Sequence, residues 1–239
     1  MNMKRKRGLE MMGSEIIRSL VEELSIIKVV KAIKSEEDSI LDDDGDEAMQ
    51  KISYFPLRPF LAICNLVTQV LDKIGPTMAV MRQDIHQNIQ RLEKFCETNP
   101  VVYSNVVEIL KRETSQGKAK KGPTCSKSFV WLTRSLDFSV ELLKLLEENL
   151  ERNMEQAVEE SYNITLKPWH GWISAAAYKV AMKLVPDNRS LVDALMPTYE
   201  KDNDMLKEEL HLLMSLFSPE LEEIHTILRC YQLDKLKSI

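Results

Sequence analysis

The sequence is short of glycine, with 7 in 239 residues, and rich in Met, Leu, Glu and Lys. That composition disfavours a strand-rich fold and favours helices. The cysteines (Cys64, Cys96, Cys125 and Cys230) lie far apart with no CxxC between them. Thiols of a cytosolic protein fit this spacing better than a disulfide framework or a zinc site, and each is expected as a small buried hydrophobe. There is no run of about 18 apolar residues, so no transmembrane helix is expected. The N-terminus lacks the apolar core and cleavage site of a secretory signal. A glycine-rich phosphate loop, HExxH and GxSxG are all absent. His86, His211 and His225 have no Cys or acidic pair at metal spacing, and His211 and His225 read as surface residues of a helix. No catalytic residue, metal or cofactor is expected, and a site that binds without chemistry is the better default. The net charge of −5 argues against non-specific nucleic-acid binding.

What is present centres on residues 81–92, MRQDIHQNIQRL. Nothing in it breaks a helix. Ile85, Ile89 and Leu92 recur at i, i+4, i+7 as an apolar stripe, and Asp84, Asn88 and Arg91 recur at the same spacing, rotated by one residue. A helix turns about 100° per residue, so the polar row runs along the edge of the stripe. A carboxylate that accepts, an amide that does both and a guanidinium that donates suit a ligand with many hydroxyls or an amide. On these residues alone, a solvated helix face explains the row more simply.

Before this stretch, the basic run at 4–7 is followed by a helical pattern over 14–33, with Ser14 as cap and Ile16, Leu20, Leu24, Ile27 and Val30 on one face. Residues 35–49 are strongly acidic and read as a disordered linker, which makes the preceding helix an appendage in need of a partner for its apolar face. Residues 1–34 thus form an N-terminal helical extension, 35–50 a linker, and 51–239 the main domain with a C-terminal extension. Within it, residues 59–74 read as a helix apolar nearly all round, broken by Gly75-Pro76. Residues 101–116 read as one helix. Residues 124–154 read as the longest, with Phe129, Leu132, Leu136, Val140, Leu143, Leu146 and Leu150 as its stripe and Trp131 one position off it. Trp131 is either a partly buried core aromatic or a platform for the apolar face of a sugar. Residues 167–186 read as a helix opened by Pro168, with His170 in its first turns, Trp169 and Trp172 beside it, and Gly171 inside it. A last segment over 198–236 should kink or split at Pro219.

Three pieces together resemble the signature of the glycolipid transfer protein family: DIHQNIQRLEK (84–94), WLTRSLDF (131–138) and WHGW (169–172). Asp84 and Asn88 match the D-x-x-x-N head-group motif. Arg91 stands where animal members carry lysine, Trp131 falls on the sugar-stacking tryptophan, and His170 on the histidine of the HGW motif. The style is most like plant members, and the resemblance covers about residues 53–215. It implies an all-α, two-layer helical sandwich enclosing an apolar lipid pocket, without disulfides, that carries a sphingolipid between membranes as a monomer in the cytosol. It implies further that Asp84 and His170 hold the ceramide amide, that Asn88 and Arg91 bond sugar hydroxyls, that Trp131 stacks under the ring, and that Trp172 touches the membrane surface transiently. The lipid chains would line up against residues 59–74, 78–85, 129–136 and 173–182.

Glucosylceramide is the favoured cargo. The ceramide 1-phosphate branch, by resemblance, carries Lys at the Asn88 position and Arg at the Trp131 position, and this chain has neither. Lys127, one turn before Trp131, coincides with a basic position of that branch and keeps an anionic sphingolipid as an alternative. A third reading is a lipid-sensing helical scaffold that relays its cargo to a protein partner.

Overall fold

Helix boundaries here are set by caps and by crossing chain segments, and some fall where periodicity does not place them. The computed structural model describes residues 15–41, 54–195 and 203–238, so the basic run at 4–7, Ser14, residues 42–53 and the expected helix start at 198 lie outside the described residues. Among the described residues every regular element is helical, apart from one isolated bridge between Pro56 and Asn105.

Helix α1, Glu15–Leu41, continues through residues 35–41, which their acidic composition places in the linker. No glycine or proline interrupts it, and extending an existing helix through Ser, Glu and Asp costs little per residue. It is also no appendage: Ile16, Ile17, Leu20, Val21, Leu24 and Ile27 are all buried in the main core. Helix α2, Leu57–Ile74, ends at Gly75, whose φ of 119° only glycine adopts freely. A 3₁₀ turn, Pro76–Met78, leads into α3, Ala79–Cys96, which buries Ile85, Ile89 and Leu92 as its stripe predicts.

The single helix expected over 101–116 is two, α4 Pro100–Tyr103 and α5 Val106–Ser115. The break has a tertiary cause. The segment before α2 crosses here, with Leu57 N–H donating to Ser104 O, Val106 N–H to Phe55 O, and Asn105 Oδ1 accepting from both Phe55 N–H and Val107 N–H. Helix α6, Cys125–Glu148, is capped by Thr124, whose hydroxyl accepts from Lys127 N–H. It stops earlier than expected because the Asn149 side chain accepts from Glu151 N–H, turning the chain, and Asn153 caps a new helix, α7, Met154–Thr165. Helix α8, Trp172–Ala181, starts after Gly171, so Gly171 is its N-cap and His170 lies in the loop before it, contrary to the expected helix from 168. After a 3₁₀ turn, Met182–Leu184, Asp187 accepts from Ser190 N–H and Oγ–H and caps α9, Asn188–Leu195. Helix α10, Asn203–Cys230, runs through Pro219 without splitting. Pro219 and Ser215 are exposed, so the carbonyl left unpaired by the missing N–H faces water.

The long helices close a ring: α1 packs on α2, α2 on α3, α3 on α6, α6 on α10, and α10 back on α1, with α7 against α6 and α9 against α2. The result is an all-α helical sandwich. Phe55, Phe60 and Phe129 sit edge-on or tilted to one another at its centre, with Phe60 and Phe129 ring centroids 4.8 Å apart. Lys31 of α1 bridges to Glu220 (2.7 Å) and Glu223 of α10. Burial lowers the Lys31 pKa, but the two carboxylates outweigh it and the net shift is upward. His225 is half-buried and bonded to Asp137 at 2.8 Å, not a surface residue as expected, whereas His211 is exposed and meets Glu147. All the cysteines are free, and Cys230 is exposed where a buried thiol was expected.

A candidate head-group cradle between α3, α6 and the WHGW loop

The polar row on α3 is a connected chain. Asn88 Nδ2 donates to Asp84 O at 2.9 Å and approaches Asp84 Oδ2 at 3.5 Å. Arg91 Nη1 donates to Asn88 Oδ1 at 3.3 Å and to Ser128 Oγ at 2.7 Å. Ser128 lies on α6, so the row crosses from one helix to the next. Asn88 is 9% exposed and Asp84 is exposed. Protein still surrounds the Asp84 carboxyl closely enough for desolvation to raise its pKa, with Arg91 pulling it down. The apolar stripe beside the row is buried, so the row sits at the border of the core as its spacing requires.

On α6, one turn beyond Ser128, Trp131 is half-buried and its ring centroid lies 5.8 Å from that of His170. His170 Nδ1 is 3.2 Å from Tyr162 Oη, and Tyr162 stacks on Tyr178. Burial and the nearby Arg134 charge lower the His170 pKa, which keeps the imidazole neutral at neutral pH. Lys127 is half-buried in the first turn of α6, beside Ser128. Trp172 begins α8 and is 78% exposed. Of the stretches expected to line a lipid pocket, 59–74 and 129–136 place Phe60, Leu61, Ile63, Phe129, Leu132 and Leu136 in the core. Helix α8 buries no residue at all, so residues 173–181 line no closed interior in this structure, contrary to expectation.

Sequence reasoning missed several groups that build this cradle. Ser128 holds Arg91, and Tyr162 orients His170. The C-terminal strand of chain after α10 pins the WHGW loop: Ser238 N–H donates to Trp169 O at 2.9 Å, Gly171 N–H donates to Ser238 Oγ at 2.9 Å, and Ser174 and Ser238 hydroxyls meet at 2.8 Å. Gln232, with φ 55°, turns the chain back from α10 so that buried Leu233 anchors this tail. None of these residues stands in a recognisable pattern: the Ser128 and Ser238 hydroxyls meet partners 37 and 64–67 residues away, and Tyr162 meets His170 outside its own helix.

Donors, acceptors and an indole face at the edge of an apolar core are the groups that binding an amphiphile calls for. Among the described residues, no group of His, Cys, Asp and Glu is placed to hold a metal ion, and no helix is long and apolar enough to cross a membrane. The sequence model of the glycolipid transfer protein (GLTP) family matches residues 55–197. Glycolipid transfer protein 2 of Arabidopsis thaliana is 47% identical over 238 residues, covering 99% of this chain and 100% of that one. Glycolipid transfer protein 3 of the same plant is 47% identical over 224 residues, covering 93% and 91%. The GLTP-fold structure of FAPP2, described as selecting simple glycosphingolipids, superposes with a TM-score of 0.72 at 24% identity, covering 81% of this chain and 93% of that one. A complex of the Arabidopsis accelerated-cell-death protein with ceramide-1-phosphate gives a TM-score of 0.71 at 14% identity, covering 91% and 97%. The chain therefore belongs to the glycolipid transfer protein family and is similar to its plant members.

Proposed function

We propose that this protein carries a glycosphingolipid, glucosylceramide by preference, between membranes, with no bond made or broken. It works as a cytosolic monomer that touches membranes transiently. The observation that carries this reading is the hydrogen-bonded row from Asp84 through Asn88 and Arg91 to Ser128, one helical turn from the Trp131–His170 wall. Asp84 takes the ceramide N–H. The tautomer in which the Tyr162 hydroxyl donates to Nδ1 leaves the His170 proton on Nε2, where it is donated to the ceramide carbonyl. Asn88 and Arg91 keep spare donors for sugar hydroxyls, and Trp131 stacks under the ring. The lipid chains insert between the helix layers, and exposed Trp172 seats the protein on the bilayer. Pulling such a lipid into water exposes about 0.8 kcal/mol per CH₂, so a protein that replaces the bilayer's apolar contact accelerates exchange in both directions.

Two features bear on the other readings. Helix α1 is built into the core, which leaves no free helix there to relay a signal and supports a carrier over a scaffold. Lys127, next to the serine that holds Arg91, keeps an anionic head group as a second reading. Neutral Asn88 and Trp131 weigh against it, because a phosphate needs several converging cations. Asp84→Val should cut vesicle-to-vesicle transfer at least tenfold, since losing a charged hydrogen-bond partner costs about 1.5–3 kcal/mol. Normal transfer with a native circular dichroism spectrum would remove Asp84 from the site. Side-by-side transfer of glucosylceramide and ceramide 1-phosphate from neutral vesicles decides between the head groups.

A further inference from the structure

We infer that Arg134 is a positioning residue for the head group: its guanidinium, clamped between the indoles of Trp131 and Trp169, aims one face of Trp131 at the ligand and ties that platform to the C-terminal tail. This rests on the glycosphingolipid reading above.

Arg134 lies one turn after Trp131 on α6 and is only 4% exposed. Its Cζ is 4.7 Å from the centroid of Trp131 and 4.5 Å from that of Trp169. Nη2 donates to Asp234 O at 3.1 Å, and buried Nη1 has no hydrogen-bond partner among the described residues. One side chain thus gathers α6, the WHGW loop and the tail. Burial pulls its pKa down to about 10, against the pull of Asp137 and Asp234, so it stays charged at neutral pH.

A buried guanidinium with an unpaired N–H is an expensive way to fill space, and an apolar side chain of similar volume does that better. Its placement is explained by what it does to its neighbours. An indole has two faces, and Arg134 covers one of them, so a sugar ring stacks on the other. The same cation over both indoles fixes the distance between Trp131 and the loop that carries His170, with the sugar platform and the amide donor held in register. A flat guanidinium fits between two rings, and a lysine ammonium does not. Beside burial, the Arg134 charge acts on His170, and the Tyr162 hydroxyl meets its Nδ1.

The test uses Arg134→Lys and Arg134→Gln in the full chain. Transfer of glucosylceramide and of plain ceramide from neutral vesicles is measured beside an NMR titration of the His170 ring without lipid. Both variants should lower the glucosylceramide-to-ceramide ratio by up to about thirtyfold, the factor that a desolvated cation–π contact supplies. The His170 pKa should rise in Arg134→Gln, which removes the cation, and stay low in Arg134→Lys, which keeps it. An unchanged ratio in folded Arg134→Lys overturns the inference, as does an equal fall for both lipids, which would mean packing alone. If the unmodified protein moves neither lipid, the carrier reading fails on its own, and an unshifted His170 pKa in Arg134→Gln still overturns the placement of Arg134.

Discussion

Among the described helices of eight or more residues, α2 and α8 are the two most apolar, and they have opposite fates. Helix α2 buries Leu57, Phe60, Leu61, Ile63, Cys64, Thr68 and Leu71 against α1, α3 and α9. Helix α8, WISAAAYKVA, has one charged residue and buries nothing, leaving Trp172, Ile173 and Val180 in solvent. It is held at its start by hydrogen bonds from the tail and through the Tyr162–Tyr178 stack, not by an apolar face. Hydrophobicity is therefore serving two purposes in one molecule. In α2 it drives folding; in α8 it is kept on the surface, and large exposed apolar groups in a folded chain mark an interaction surface. On the carrier reading, that partner is the bilayer.

The sharpest way to break this contrast is to truncate both helices alike. Phe60→Ala should cost about 3–5 kcal/mol, because it empties a site packed on Phe55 and Phe129. Val180→Ala should change stability by no more than about 0.5 kcal/mol in urea unfolding. Comparable losses for the two would mean that α8 is buried in solution. Next in size, Trp172→Ala should leave the melting temperature unchanged while weakening sedimentation with neutral vesicles about tenfold, as expected on burying an indole in a bilayer interface. Unaltered vesicle binding would strip α8 of its membrane role.

The smallest expected effect sits on the buried side, at the α6–α10 seam. The Asp137 hydrogen bond raises the His225 pKa against the opposing effect of burial; Asp137 and Glu222 add further upward pull, and Arg229 a downward one. A histidine whose folded pKa exceeds its unfolded value of about 6.5 stabilises fully below that value and loses the contribution as pH rises through the folded pKa. Stability should fall by roughly 0.5–1 kcal/mol between pH 6 and pH 8, a partly exposed pair being worth no more. In His225→Gln that slope should flatten, which denaturant titrations at the two pH values would reveal.

Much of the fold was legible in advance because helical information is local. The stripe of α3 is buried where its i, i+4, i+7 spacing puts it, as are Phe129, Leu132, Leu136, Val140 and Leu146 of the α6 stripe, while Leu143 is half-buried and Leu150 lies beyond the helix end; Asp84, Asn88 and Arg91 do form one row. Errors fell where a distant segment intervenes. The break at Asn105 exists because Phe55 arrives from 50 residues earlier in the chain. His225 looked like a surface residue because Asp137 is 88 residues away. Gly171 looked like a helix interior because the tail that pins it lies 67 residues on.

The sequence by itself determined the helical class, the edge position of the polar row, the aromatic pieces and, through three motifs in order, the family. These depend on side-chain type and on spacings of three or four residues, which a helix turns directly into geometry. Only the tertiary structure decided that α1 belongs to the core, that α8 stays in water, and that Ser128 meets Arg91, Tyr162 meets His170, and Arg134 meets Trp131 and the tail at Asp234. An apolar face carries no mark of whether a partner will cover it. Nor does an arginine show which carbonyl it will find 100 residues away. Those outcomes follow from how the long helices close their ring.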